Sequence, residues 1–213
     1  MTGTEFDGQA QTAGWTPAAA CRRAAAGLLA LFAASWLIAG APARAEERIA
    51  VAGAALEAER GADPGVFLNA QFEFTLPPAL ADAVTRGVAV YFVVDFELSR
   101  HRWYWVDQRL AEESLGYRLS YSPLTRQYRL ARGALAQPFD TLDEALATIR
   151  RVGHWKVLDA DVLRPDQRYD ARVRLRLDTS LLPKPFQVNA LTNRDWSLTS
   201  EWFAVPVTDD LAR

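Results

Sequence analysis

The sequence predicts a mainly β fold: an antiparallel β-sandwich of immunoglobulin-like type carrying two short α-helices. Three observations lead there. Period-two alternation of apolar and polar residues recurs in short segments along the chain. Turn-rich breaks, GADPG, SPLTR and RPDQ, separate those segments at the spacing of sandwich or barrel strands. Only two stretches carry helical spacing with start and stop signals.

The first 45 of the 213 residues read as a leader rather than part of the domain. Arg22 and Arg23 precede the apolar run AAAGLLALFAASWLIAG, and APARA follows it. A positive n-region, an apolar h-region and an A-x-A site, here Ala43-Arg44-Ala45, are the parts of a secretory signal peptide, with cleavage before Glu46. The expected location is the periplasm. The alternative is an uncleaved inner-membrane anchor, since the run is near the roughly 17-residue lower limit of a membrane span. The stretch from Met1 to Ala20 reads as an over-extended start.

Residues 46–213 then form one domain. Its size suits a single core, because a chain of this length buries roughly 70% of its unfolded surface. The only cysteine, Cys21, lies in the leader, so no disulfide helps hold the domain in an oxidising compartment. Removing the leader takes three of 24 basic and two of 26 acidic residues, leaving 21 against 24. A net charge near minus three argues against nucleic acid as a partner, as does export.

Within the domain, RIAVAGAALEA is the expected first strand. VFLNAQFEFTL turns Val66, Leu68, Ala70, Phe72, Phe74 and Leu76 to one face and Asn69, Gln71, Glu73 and Thr75 to the other. PPALADAVTRG is a short helix, with prolines at its start and Gly87 at its end. VAVYFVVDFEL points Val88, Val90, Phe92, Val94, Phe96 and Leu98 inward, Asp95 and Glu97 outward. GYRLSYS and QYRLARG follow as strands. In the second helix Thr141-Leu142-Asp143-Glu144 is a capping box; Leu142, Ala145, Leu146 and Ile149 share a face; Arg150 and Arg151 close the last turn and Gly153 stops it. HWKVLDA, RYDARVRLRLD and DWSLTSEWFAV complete the strands.

RHRWYWVDQRL holds two of the seven tryptophans and one of the two histidines. If the chain reverses over Ser99 to Arg102, Leu98 pairs with Trp103 and Phe96 with Trp105, and both indoles enter the core. A one-residue slip would instead expose them as an aromatic platform. The first arrangement buries more apolar area, worth several kcal/mol at ~25 cal/mol per Å². His101 falls in the turn as a solvated residue, and His154, just after the second helix, reads as a helix-end or strand-start residue that can bond a free carbonyl.

Reaction-bearing patterns are missing. There is no G-x-S-x-G elbow, no H-E-x-x-H or C-x-x-C zinc pattern and no phosphate-cradling glycine loop, so no cofactor or metal is implied. Asp95 and Glu97, with Asp107 nearby, are the one pair that glycoside hydrolysis could use, although outward carboxylates on a strand are usually solubilising. Asp159, Asp161, Asp166 and Asp170 lack the glycine and the terminal glutamate of an EF-hand loop and read as an acidic turn region.

The candidate site residues are Arg172, Arg174 and Arg176. They alternate with Val173, Leu175 and Leu177, so three guanidiniums line one strand face over roughly 13 Å. Such a row suits an anionic polymer, lipid headgroups or an acidic protein surface. Cross-strand Asp and Glu would neutralise it instead.

VDFELSRHRWYWVDQRLA, LSYSPLTRQYRL, FDTLDEALATIRRVGHWKV and above all LPKPFQVNALTNRDWSLTSEW resemble an exported proteobacterial family catalogued as domain of unknown function 4390. The resemblance runs from about Val66 to Trp202 and carries no catalytic residue with it. It implies an envelope signalling context, with the periplasmic domain of a sensor histidine kinase as the kind of partner expected. The resulting expectation is a periplasmic binding or accessory module rather than an enzyme. The alternatives are a carbohydrate-binding or carbohydrate-active protein working on cell-wall glycan, and a structural envelope protein.

Overall fold

The computed structural model describes residues 49–100, 108–192 and 196–212. The leader, and with it the cleavage site, lies outside them, as do His101, Trp103, Trp105 and Asp107. Among the described residues no helix is long and apolar enough to cross a membrane.

Strands β1 (Ile49–Glu59), β2 (Gly65–Phe74) and β7 (Arg151–Asp159) form one antiparallel sheet in the order β1-β2-β7. The second sheet runs β6-β5-β4-β3-β8-β9, from β3 (Val90–Arg100), β4 (Gln108–Ser122), β5 (Gln127–Arg132), β6 (Leu135–Phe139), β8 (Tyr169–Leu177) and β9 (Phe203–Val205). Both sheets contribute to one apolar cluster, and Phe74 of the first meets Phe92 of the second with ring centroids 5.6 Å apart. The antiparallel sandwich expected from the period-two segments is therefore the observed architecture.

β3 is the centre of that cluster. It is bonded by β4 on one side and β8 on the other, and Val90, Phe92, Val94, Phe96 and Leu98 are all 0% exposed. β8 supplies Ala171, Val173, Leu175 and Leu177 to the same layer, and β2 supplies Val66, Leu68, Ala70, Phe72 and Phe74 from the facing sheet. Edge strand β6 is short and contains Pro138, two devices that blunt an exposed edge.

Helix α1 (Pro78–Thr85) ends as its glycine predicts. Gly87 has φ +90°, its N–H donates to the Val84 carbonyl and the Val88 N–H to the Ala83 carbonyl, the paired bonds of a Schellman motif. Helix α2 (Leu142–Ile149) starts with the predicted capping box: the Glu144 N–H donates to Thr141 Oγ1 at 3.2 Å and the Thr141 N–H to Glu144 Oε2 at 3.4 Å. Its end differs from expectation. Arg150 is the C-cap, Arg151 already opens β7, and Gly153 lies inside that strand. The reason is Arg150 itself. Its carbonyl accepts from the Phe72 N–H, its guanidinium donates to the Phe74 carbonyl at 2.9 and 3.1 Å, and both contacts draw the chain straight onto β2.

Other boundaries also shift. β2 stops at Phe74 rather than Leu76, because Pro77 and Pro78 lead into α1. β3 runs on through Ser99 and Arg100, which pair with Arg109 and Gln108, so the chain does not reverse over Ser99 to Arg102. Leu98 faces Ala111 and Phe96 faces Glu113, not Trp103 and Trp105, because the connection spans residues 101–107. A third helix, α3 (Lys184–Thr192), adds to the two expected. A 3-10 turn at Thr179–Leu181 leads to it, and Gln187 ties the two by donating to the Ser180 and Leu182 carbonyls at 2.8 and 2.7 Å. DWSLTSEWFAV forms a strand only over Phe203–Val205, with Thr199 bridging Arg176 ahead of it.

Replacing Phe92 by alanine should cost about 3–5 kcal/mol, the usual range for deleting a fully buried ring. Thr141→Ala should cost only about 1 kcal/mol, the value of a cap. Equilibrium urea unfolding at neutral pH reads both, and similar losses would mean that the core is not centred on β3.

Candidate functional site

Arg172, Arg174 and Arg176 do stand in a row on the outer face of β8, because the residues between them face the core. The chain next to them is set by register. β3 pairs Glu97 with Arg172, Asp95 with Arg174 and Val93 with Arg176. On the other side Ala204 faces Arg172, and Thr199 bridges Arg176. Between Thr199 and Phe203 the register against β8 slips by one residue. Ser200 fills the irregularity. Its N–H donates to the Leu175 carbonyl at 2.9 Å and its Oγ accepts from the Leu175 N–H at 3.1 Å. Trp202, two residues on, lies against the arginines.

The row is neutralised from across the strand. Asp95 Oδ2 accepts from Arg174 Nε at 2.9 Å and Arg176 Nε at 2.8 Å, while Oδ1 accepts from Ser114 Oγ at 2.9 Å. Glu97 Oε2 accepts from Nε and Nη2 of Arg172 at 2.9 and 2.5 Å. Arg176 Nη1 also comes within 3.8 Å of Asp178 Oδ2. From the β9 side the Trp202 ring lies 4.6 Å from the Arg172 guanidinium and 4.3 Å from that of Arg174, both cation–π distances. The cross-strand acids weighed from sequence are thus Asp95 and Glu97.

Asp95 is 6% exposed. Burial raises its pKa, but hydrogen bonds from Arg176, Arg174 and Ser114, together with the Arg176 charge, outweigh burial and hold the carboxyl below its ordinary value. The same bond to Asp95 holds the Arg176 pKa above its usual value against the desolvation that opposes it. An ionised, fully hydrogen-bonded carboxylate is the reverse of a general acid, which needs a raised pKa. Asp95 is thus held as the ionised partner of Arg174 and Arg176, and Glu97 pairs with Arg172.

Of the helix-end and strand-start readings of His154 the second is the nearer, since it is the fourth residue of β7. Leu68 faces Trp155 and Ala70 faces Val152, so Gly153 and His154 together oppose Asn69 in a β-bulge. His154 takes φ +49°, its N–H donates to Asn69 Oδ1 at 2.9 Å, and its ring stacks on Phe67 at 4.2 Å and 12°. Phe67 is buried on the sheet's outer side because that ring covers it. Asp161 and Asp166 fall in the turn region between β7 and β8, and Asp159 at the end of β7 meets Lys156 at 3.3 Å. Among the described residues no group of three His, Cys, Asp or Glu side chains gathers where a metal would need it.

Two sheets around one core, with a guanidinium–carboxylate ladder and a stacked indole on the outer face of the larger, define a β-sandwich domain with a charged sheet face. The chain belongs to the family described as "Domain of unknown function (DUF4390)", whose model matches residues 50–206. The match reaches back to the first strand, further than the quoted motifs. No curated protein and no solved structure matches the chain.

Asp95→Asn should destabilise the fold by about 3 kcal/mol at pH 7, because it leaves two guanidiniums without their shared charge. A carboxyl with a lowered folded pKa contributes stability above its unfolded value, about 3.9, and loses it as pH falls through the folded value. Wild-type stability should therefore drop from about pH 5 downward more steeply than that of Asp95→Asn. Urea midpoints measured from pH 7 to 2 test this; parallel curves would show that Asp95 gains nothing from the arginines.

Proposed function

We propose that this chain is an exported binding or accessory module, not an enzyme, and that it docks an acidic protein partner on the outer face of the large sheet. One observation carries the reading: in the row, the Arg174 guanidinium is anchored through Nε alone and keeps both Nη groups for a partner. Asp95 holds Arg174 and Arg176 through Nε, and no described residue bonds the Nη atoms of Arg174. A fork already fixed in orientation loses less entropy when it pairs with a partner carboxylate. Trp202 adds an amphipathic anchor of the kind enriched at interfaces.

The sandwich is further proposed to be immunoglobulin-like. β1-β2-β7 against β5-β4-β3-β8-β9 follows the order of strands A-B-E and C″-C′-C-F-G in variable-type domains, with β6 added beyond β5. Export rests on the Arg22–Ala45 pattern. The signalling context, with a sensor histidine kinase as partner, rests on the family resemblance alone. The glycan reading depended on Trp103 and Trp105, outside the described residues.

The docking test is a charge-preserving double variant, Arg174→Lys with Arg176→Lys. Lysine keeps a cation beside Asp95 but loses the planar fork. A partner captured from envelope extract should bind the variant about tenfold more weakly, the cost of losing charged hydrogen bonds. Its binding to the wild type should weaken steeply with salt. Unchanged affinity in a variant with the wild-type urea midpoint would move the docking face elsewhere. For export, intact mass of the periplasmic protein should begin at Glu46; a full-length inner-membrane form would show an anchor.

A further inference from the structure

A second feature lies at the end of the sandwich where β8 begins, apart from the ladder. The connection from β7 to β8 and the segment after β9 border an open pocket of about 240 Å³. Arg164, Gln167 and Arg168 line it from the connection, Asp170 from β8, and Thr208 and Asp209 from the chain beyond β9. Two cationic and two anionic residues, all four exposed, thus border one pocket, and none of them is ion-paired among the described residues.

The wall behind these groups is braced. The Arg164 N–H donates to the Tyr169 hydroxyl at 2.9 Å, and that hydroxyl donates to Gln167 Oε1 at 3.3 Å. Arg100 Nη1 donates to the same oxygen at 2.9 Å. With its oxygen accepting twice, the amide of Gln167, a residue of the pocket wall, has Nε2 donors that no described acceptor claims. A lone anion here would gain the guanidiniums and meet Asp170 and Asp209; a lone cation would meet the reverse. An occupant carrying both signs close together satisfies all four. The volume is below the usual range for drug-sized ligands, which limits the occupant to a small molecule.

We propose that this pocket binds a small zwitterion of the amino-acid type, its carboxylate held by Arg164, Arg168 and the Gln167 amide and its ammonium by Asp170 and Asp209. The site is independent of the ladder, since Asp95, Glu97, Arg172, Arg174, Arg176 and Trp202 do not line it.

Amide-detected NMR titration of the purified protein tests it, with L-alanine, D-alanine and L-valine as probes, and acetate and methylammonium as single-charge controls at matched ionic strength. At least one zwitterion should shift the Gln167 side-chain and Thr208 signals saturably, and each control should bind at least about tenfold more weakly, the cost of one charged hydrogen-bonded contact. Arg168→Gln and Asp209→Asn should each lower the zwitterion's affinity about tenfold while the rest of the spectrum stays in place. The proposal is overturned if no zwitterion gives saturable shifts, if acetate binds as tightly as the amino acids, or if both folded variants keep the wild-type affinity.

Discussion

One carboxylate sets the terms for the large sheet. Asp95 sits in the middle of the central strand, on the side away from the core, and its two oxygens meet three donors from the two neighbouring strands: Ser114 on β4, Arg174 and Arg176 on β8. A nearly buried charge is tolerable only when so satisfied. Because side chains alternate faces, sliding β8 by one residue against β3 would turn its arginines to the core and its valine and leucines to solvent. The ion cluster and the apolar layer behind it therefore demand the same register. Neither would specify it as sharply alone.

Periodicity made the strongest elements legible. β2, β3 and β8 each carry apolar residues at every second position, and the second helix carries a capping box, so those segments read correctly from their own residues. What failed depended on contacts distant in sequence. Arg150 ends its helix on β2, 76 residues away, in place of the glycine stop that local rules favour. α3 has a weak amphipathic pattern and begins among prolines; Gln187 and the packing of Phe186 on Trp196 at 5.3 Å hold it. The reversal over Ser99 to Arg102 was too tight because nothing local in β3 signals that it extends to Arg100.

The candidate site divides in the same way. That three arginines share a face follows from their spacing. That Asp95 and Glu97 are their partners does not, since the pairs lie 75 to 81 residues apart and any acid on a neighbouring strand would have satisfied the same argument. Trp202 gave no local sign of its role; its place over Arg172 and Arg174 follows from the one-residue slip that Ser200 fills. The pocket beside Tyr169 was equally invisible, because its wall joins the β7–β8 connection to chain beyond β9.

The pairing of β3 with β8 also governs the order in which the molecule can assemble. Hairpins β3–β4, β4–β5 and β5–β6 close over short stretches, but β8 reaches β3 only after α2 and β7 have been made. Until then the central strand carries five core side chains along a bare hydrogen-bonding edge, the kind of surface that recruits other chains. Long-range antiparallel closure of this sort belongs with folding times of milliseconds to seconds rather than microseconds. The nascent domain thus has a window of vulnerability whose length is set by the arrival of Tyr169–Leu177.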